Sequence, residues 1–163
     1  MKLTCLKDTL MNQINTVMKA VSNRTTLPIL ECILLKAEKG GLSLMGNDLE
    51  MGIQTAPAEA QVEEEGAIAI EAKLFSDVIR KMEGENVFLS TDDKNIVTIR
   101  CGMSEYKIMA QSGEEFPEMP AVERGIGYAM KQKDLKNVIR QTIFSIAADE
   151  SKPVLTGELL EIK

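Results

Sequence analysis

The chain has 163 residues, 44% of them hydrophobic, enough to build a proper core in one ordinary domain. It carries a formal net charge of −6 and no histidine, which removes the commonest general base and the commonest transition-metal ligand together. No run of 18 apolar residues exists to span a membrane, Met1–Asp8 lacks a signal peptide's apolar stretch, and three widely spaced cysteines (Cys5, Cys32, Cys101) read as buried reduced thiols of a cytoplasmic protein.

Residues 1–6 read as a short strand. Residues 7–21 place Leu10, Ile14, Val17, Met18 and Val21 on one helical face. A polar loop, Ser22–Thr26, runs into Leu27-Pro28, where proline biases the chain to extended geometry and predicts a strand over 29–37. Gly40-Gly41 and Gly46-Asn47-Asp48 are turn signals, so strands over 42–45 and 50–56 complete an antiparallel meander. Glu63-Glu64-Glu65-Gly66 reads as an acidic turn before a strand over 67–70.

The pattern then restarts. Residues 73–82 carry Leu74, Phe75, Val78, Ile79 and Met82 at helical spacing, and short strands follow at 87–90, 96–100 and 106–109. Residues 111–127, with Pro117, Pro120 and three glycines, read as connecting chain, and another helix is predicted over 132–145.

Two repeats organise these elements. Residues 27–36 (Leu-Pro-Ile-Leu-Glu-Cys-Ile-Leu-Leu-Lys) recur 125 residues later as Lys-Pro-Val-Leu-Thr-Gly-Glu-Leu-Leu-Glu, and Leu10, Asn12, Ile14 and Met18 meet Leu135, Asn137, Ile139 and Ile143 in the same register. A finer offset of 60 aligns Val78-Ile79-Arg80 with Val138-Ile139-Arg140. Long-period self-similarity marks a duplicated structural unit. The expected fold is α+β: duplicated βαβββ units with helices on one face of antiparallel sheets, neither half able to bury its sheet alone. A complete first domain falls at 1–120, a linker at 121–127 and the opening of a second domain at 128–163, so the chain reads as a fragment of something larger.

Charge is segregated along this plan. Residues 7–24 sum to +2, residues 72–82 to +2 and residues 131–144 to +3, leaving −13 for the rest. A basic helical face would attract a phosphate backbone without reading bases, although lysines on a single solvated helix mean little. Lys19, Lys73, Arg80, Lys136 and Arg140 are its candidates, with Asn12, Gln13, Asn15 and Thr16 as the polar face of the first helix. Two tyrosines and four phenylalanines are too few for base stacking, so duplex phosphate contact, if any, is what these residues could offer.

No catalytic constellation emerges. Asp48 and Glu50 share a strand face as a conceivable acid/base pair, but Gly46-Asn47-Asp48 reads better as a tight turn. Glu63–Glu65 and Asp92-Asp93 lack metal-ligand spacing, and Gly125-Ile126-Gly127 is too short for a phosphate loop. No metal or cofactor is expected.

Thr26-Leu27-Pro28-Ile29-Leu30, Leu42-Ser43-Leu44 with Gly46-Asn47-Asp48-Leu49-Glu50, and Glu115-Phe116-Pro117 resemble the first domain of the bacterial DNA polymerase III beta subunit family, the sliding clamps. Phe144–Ala147 and Lys152–Gly157 are similar to the start of that family's second domain. The resemblance implies the DNA-clamp fold, three domains per chain, and a homodimer ring that encircles duplex DNA as a non-catalytic processivity factor. It implies that Arg24 touches DNA from the loop after the first helix. Lys152 and Leu155 would belong to the pocket that receives peptides of DNA polymerase and clamp-loader subunits, most of which lies further along the family's chain. Lys73, Arg100, Tyr106 and Ile108 would belong to the surface that meets the partner subunit. The chain departs from the family pattern at Met103 and Glu105, where basic residues are expected, and at Asp149, which replaces a neutral polar residue. Two other readings remain: a protein-binding scaffold of clamp architecture that does not encircle nucleic acid, and a small enzyme using Asp48 and Glu50.

Overall fold

Strand β1 (Lys2–Leu6) runs straight into helix α1 (Lys7–Val17), which ends in a 3-10 turn over Met18–Ala20. The helix forms where Leu10, Ile14 and Val17 share one face, and all three are fully buried. Leu6 offers no side-chain cap. The exposed helix start is tied down by the Lys7 amide, which donates to the Glu85 carbonyl at 2.7 Å, and by Lys7 Nζ, which donates to the Met82 carbonyl. These features come from a computed structural model that describes residues 1–22, 25–119, 127–149 and 151–161. The chain separates into two compact units, Met1–Pro120 and Ala121–Lys163.

Pro28 opens a 3-10 turn over Pro28–Glu31, so strand β2 starts at Cys32 and not at Ile29. Proline's fixed φ suits the first position of a helical turn as well as a strand entry, and here the turn wins. β2 (Cys32–Glu38), β3 (Gly41–Asn47) and β4 (Gly52–Gln54) make the expected meander, with β4 shorter than residues 50–56. β5 (Ala60–Glu64) follows, so Glu63 and Glu64 lie in a strand and not in a turn. Lys2 faces Glu64 across the β1–β5 pair, and its Nζ reaches Glu63 Oε2 at 2.5 Å. The second half repeats the order with β6 (Gly66–Glu71), α2 (Ala72–Lys81), β7 (Asn86–Thr91), β8 (Ile96–Cys101), β9 (Ser104–Met109) and β10 (Gln111–Ser112).

Each half therefore carries a fourth short strand, and each lends its first strand to the other. One sheet has the order β5-β1-β7-β8-β9 and the other β10-β6-β2-β3-β4. β1 of the first half pairs with β7 of the second, and β6 of the second pairs with β2 of the first. Neither sheet closes until both halves are present.

The core lies between the sheets and the helices. Leu3, Leu35, Leu44, Ile70, Phe75, Ile79, Leu89 and Ile99 are at or below 1% exposure, each contributing about 1.5–3 kcal/mol by leaving water. α1 lies against α2 and β3. Its end presses so close to β3 that a Cβ on Gly46 would meet the Val17 carbonyl oxygen at 2.5 Å. Gln13, expected on the polar face, is 8% exposed: its Nε2 donates to the Leu42 carbonyl and Thr55 Oγ1, both at 2.9 Å, and to the Ala56 carbonyl at 3.2 Å. The amide gives the Ala56 carbonyl a donor and adds a second bond to the Leu42 carbonyl, which also accepts from the Ala58 amide at 2.8 Å.

Residues 111–119, expected as connecting chain, belong to the first unit. They strap the outer face of the second sheet. Phe116 is 5% exposed over Cys32, Leu34 and Ala69, forming a small second core. A Cβ on Gly113 would strike the Ala67 Cβ at 2.6 Å, and one on Gly52 would strike the Met119 sulfur at 2.5 Å. The strap thus touches β6, β2 and β4 in passing.

The second unit contains α3 (Gln132–Thr142), a 3-10 turn over Ile143–Ser145 and another over Pro153–Leu155. No strand forms among its described residues, so the strand expected after Pro153 is absent there. Val138, Phe144, Val154, Leu159 and Leu160 are all more than half exposed.

Candidate nucleic-acid interface

The solvent side of α1 presents Asn12, Asn15 and Thr16, followed by Lys19 in the 3-10 turn. Thr16 Oγ1 donates back to the Asn12 carbonyl at 2.8 Å, so this surface is short and neutral apart from Lys19. Arg24 lies outside the described residues. Lys7, counted with the basic residues, is half-buried and committed to the end of α2.

α2 is capped by Glu71, whose two carboxylate oxygens accept from the Lys73 amide at 2.9 Å and the Leu74 amide at 2.8 Å. That leaves Lys73 exposed in the first turn, with no ion pair among the described residues. Arg80 is exposed at the other end, where Nη1 lies 3.8 Å from Asp77 Oδ1 and Nη2 donates to Ser76 Oγ at 3.3 Å. An exposed pair one helical turn apart is weak, so Arg80 keeps most of its freedom to turn toward another anion. Within the second unit, Lys136 and Arg140 are exposed on α3, again with no ion pair among the described residues. Asp149 is turned inward on its own loop: its carboxylate accepts from the Ser151 amide at 2.9 Å and hydroxyl at 3.0 Å, and those bonds, the amide first, hold its pKa below the usual value.

Lys152 and Leu155 sit on the exposed 3-10 turn of the second unit. An apolar groove of about 360 Å³ lies between α3 and residues 158–160, lined by Leu135, Val138, Ile139, Leu159 and Leu160. Neither Lys152 nor Leu155 lines it.

Arg100, Tyr106 and Ile108 come together on the β8–β9 pair, where Ile99 faces Tyr106 and Val97 faces Ile108. β9 is the edge strand of its sheet. Ile108 is only 6% exposed and belongs to the core, whereas Tyr106 is 43% exposed. Arg100 Nε donates to Glu105 Oε2 at 2.5 Å, and Lys107 Nζ lies 3.9 Å from the other oxygen. The Arg100 guanidinium and Lys2 Nζ each lie 5.9 Å from the centre of the Phe88 ring. Nothing in the one-dimensional pattern pointed to Phe88, because its two cations arrive from different strands. Lys73 stands on α2, with no hydrogen bond or ion pair to this group among the described residues.

Asp48 and Glu50 form no acid/base pair. Asp48 Oδ1 accepts from the Glu50 amide at 3.0 Å and the Met51 amide at 2.7 Å, which makes it the pivot of a tight turn.

Two antiparallel sheets, strand-swapped between duplicated halves and backed by paired helices, are the architecture of a sliding-clamp domain. Residues 1–120 match the family described as "DNA polymerase III beta subunit, N-terminal domain", and the chain belongs to that family. It is 35% identical to the beta sliding clamp of Halalkalibacterium halodurans and 34% identical to that of Bacillus subtilis, in each case over 96% of this chain and 43% of the relative. Among solved structures, the Bacillus subtilis sliding clamp superposes with a TM-score of 0.92 at 34% identity, covering 96% of this chain and 43% of that one. The Caulobacter crescentus pol III beta superposes with a TM-score of 0.88 at 32% identity, covering 96% of this chain and 42% of that one. The chain thus spans less than half the length of the relatives it matches.

Proposed function

We propose that this chain forms part of a sliding clamp, a non-catalytic ring that encloses duplex DNA and tethers the replicative polymerase to it. The family match over residues 1–120 carries the reading. The separation of charge supports it: the helices offer Lys19, Lys73 and Arg80 over a neutral surface, while the acidic residues concentrate on strands and turns. Such a surface contacts phosphates without sequence preference and lets a duplex slide. Arg24 is assigned to the same face from the resemblance alone.

The second unit is, on this reading, the opening of a second clamp domain after a linker at 121–127. The 125-residue repeat supports that assignment, because α3 and its two 3-10 turns recur in the register of α1 and its own. Lys136 and Arg140 would then face DNA, and Lys152 and Leu155 would stand at the rim of a peptide pocket for polymerase and clamp-loader subunits. Lys73, Arg100, Tyr106 and Ile108 would mark the joint of a homodimer, with Ile108 shaping the strand from within. A cytoplasmic location accords with such a role.

The test is retention on DNA by the ring-forming protein that contains these residues. Loaded on nicked circular plasmid, it should co-elute with the DNA and slip off once the plasmid is linearised. Arg24→Ala should reduce loading or retention equally on all sequences. Retention that ignores linearisation would favour a scaffold that binds without encircling.

A further inference from the structure

We propose that the cavity between the strap and the outer face of the second sheet is a docking pocket for an arginine side chain of a partner polypeptide, with an apolar residue beside it. Such a site is separate from the ring's hold on DNA and does not depend on it.

The strap builds the cavity. Gly113 lies flush on Ala67, Phe116 packs on Leu34, and Met119 reaches Gly52 on β4. Between these points the strap stands off the sheet and leaves a space of about 350 Å³. That is at the small end of ligand pockets, which begin at roughly 300 Å³. The β2–β3 register sets Leu34 opposite Met45 and Lys36 opposite Ser43, so an apolar and a polar pair are adjacent rows of one sheet face. Gln54 extends the first row from β4, opposite Met45. Phe116 and Met119 add apolar surface from the strap, and Glu114 and Glu118 add carboxylates from it.

Ser43 is the group that calls for a ligand. It is 6% exposed, yet its hydroxyl makes no hydrogen bond among the described residues. No side-chain nitrogen or oxygen of the described residues is sealed in without a partner, so Oγ opens into the cavity that Ser43 lines. Glu114 and Glu118 are exposed at the mouth, with no ion pair among the described residues. Lys36 does not neutralise them. Its Nζ lies 2.8 Å from Glu38 Oε1, and the bond to Glu38 is what chiefly holds its pKa above the ordinary lysine value, with Glu118 adding a lesser attraction. Two carboxylates are therefore left over, and the Ser43 hydroxyl and the Gln54 side-chain carbonyl are further acceptors. Their complement is a cation with several N–H donors on an apolar stem. Arginine has both, with five donors in a planar fork and a stem of methylenes suited to Leu34, Met45, Phe116 and Met119. Lysine offers its donors from a single point and spans fewer acceptors. The mouth is open, since Lys36, Gln54, Glu114 and Glu118 are all exposed. A small cofactor buries most of its surface, whereas a side chain carried by a larger partner fills a pocket of this kind and runs out of it.

The experiment is heteronuclear NMR of the isotope-labelled 163-residue chain titrated with the probe acetyl-Leu-Arg-amide. Amides over 34–36, 43–45 and 113–119 should shift together and saturate in the millimolar range, as fits a two-residue probe. Citrulline in place of arginine keeps the shape and removes the charge, and should weaken binding roughly tenfold or more. Free L-arginine, which lacks the leucine, should also bind roughly tenfold more weakly. In the protein, Glu114→Gln combined with Glu118→Gln should cost roughly tenfold and Ser43→Ala roughly threefold. Amides of β1 and β7, on the other sheet, should keep their wild-type positions in both variants and so report an intact fold. The absence of a saturable shift, or shifts that do not centre on the strap, would overturn the proposal. So would a citrulline probe or free arginine that binds as well as the arginine probe, or folded variants that bind it like the wild type. Any of these results leaves plasmid retention untouched, so the ring reading stands or falls separately.

Discussion

The Ala147 amide donates to the Leu155 carbonyl at 2.9 Å, the same bond, 125 residues later, that Ser22 makes to Leu30 at 3.2 Å. The neighbouring turn repeats as well: Ile146 donates to Ile143 as Val21 donates to Met18, both at 3.4 Å. α3 spans Gln132–Thr142 where α1 spans Lys7–Val17, an offset of 125 at both ends. The backbone hydrogen bonds that close the helix end and the two 3-10 turns are duplicated. What is not duplicated is pairing between strands, because β1 and β2 are held by β5, β7, β3 and β6, whose counterparts are not among the 163 residues.

That difference should appear in amide exchange. Residues 34–36 lie in β2 between β3 and β6, whereas no strand forms over the described residues 157–160. Amides over 157–160 should exchange orders of magnitude faster than those over 34–36, and α3 should be only weakly protected, since an 11-residue helix without a covered face is marginal in water. Equal protection in the two segments, in a monomer, would contradict this.

Gln13 ties α1 to β3 and the segment after β4 through three acceptors. Gln13→Ala should cost about 1–2 kcal/mol in urea unfolding, because the three bonds that tie the helix to Leu42, Thr55 and Ala56 are lost together. A change within error would mean that water replaces the amide freely.

Phe116 anchors the strap over Cys32, Leu34 and Ala69. Phe116→Ala should destabilise the first unit by about 3 kcal/mol and make the peptide bonds around 113–119 the first to be cut in limited proteolysis. Unchanged cleavage would show that Gly113 and Met119 hold the strap without it.

How far the fold could be read from residues follows from the range of the forces involved. The helices were legible because Leu10, Ile14 and Val17, or Phe75, Val78 and Ile79, announce a buried face within a few turns. The turn at Asp48 was legible for the same reason. The exchange of β1 and β6 between sheets was not, since periodicity says which face of a strand is buried and nothing about its neighbour. Gln13 misled because a polar residue beside an apolar stripe is usually solvated, and the carbonyls that claim it come from residues 42 and 56. Glu63 and Glu64 looked like a turn because acidic residues are rare in strands, yet on an edge strand opposite Lys2 they are well placed. Lys19, Lys73, Arg80, Lys136 and Arg140 were singled out from charge alone, while the Arg100–Glu105 bond, which decides what the β9 edge can offer, required the register.

Burial raises the Cys5 thiol from an ordinary 9.0 to about 12. The folded chain thus keeps a proton that the unfolded chain releases between those values, so the stabilisation is complete below pH 9 and is lost as pH rises toward 12. Unfolding free energy should fall through that window by up to about 1.4 kcal/mol per pH unit for this thiol. Cys5→Ala should flatten the slope relative to wild type. An identical slope in the variant would assign the alkaline loss to other groups.

If the hold on DNA comes from enclosure, the isolated chain should barely bind it. One and a part domains present only a few cations, the net charge of −6 opposes approach, and a few phosphate contacts contribute little once salt is present. The direct measurement is fluorescence anisotropy of a labelled duplex titrated with the 163-residue chain across a salt series. Binding should be weak at low salt and undetectable at about 0.15 M, where screening is strong. Tight binding that persists at about 0.15 M salt would mean a dedicated DNA site on this chain and would contradict a grip based on closure of a ring.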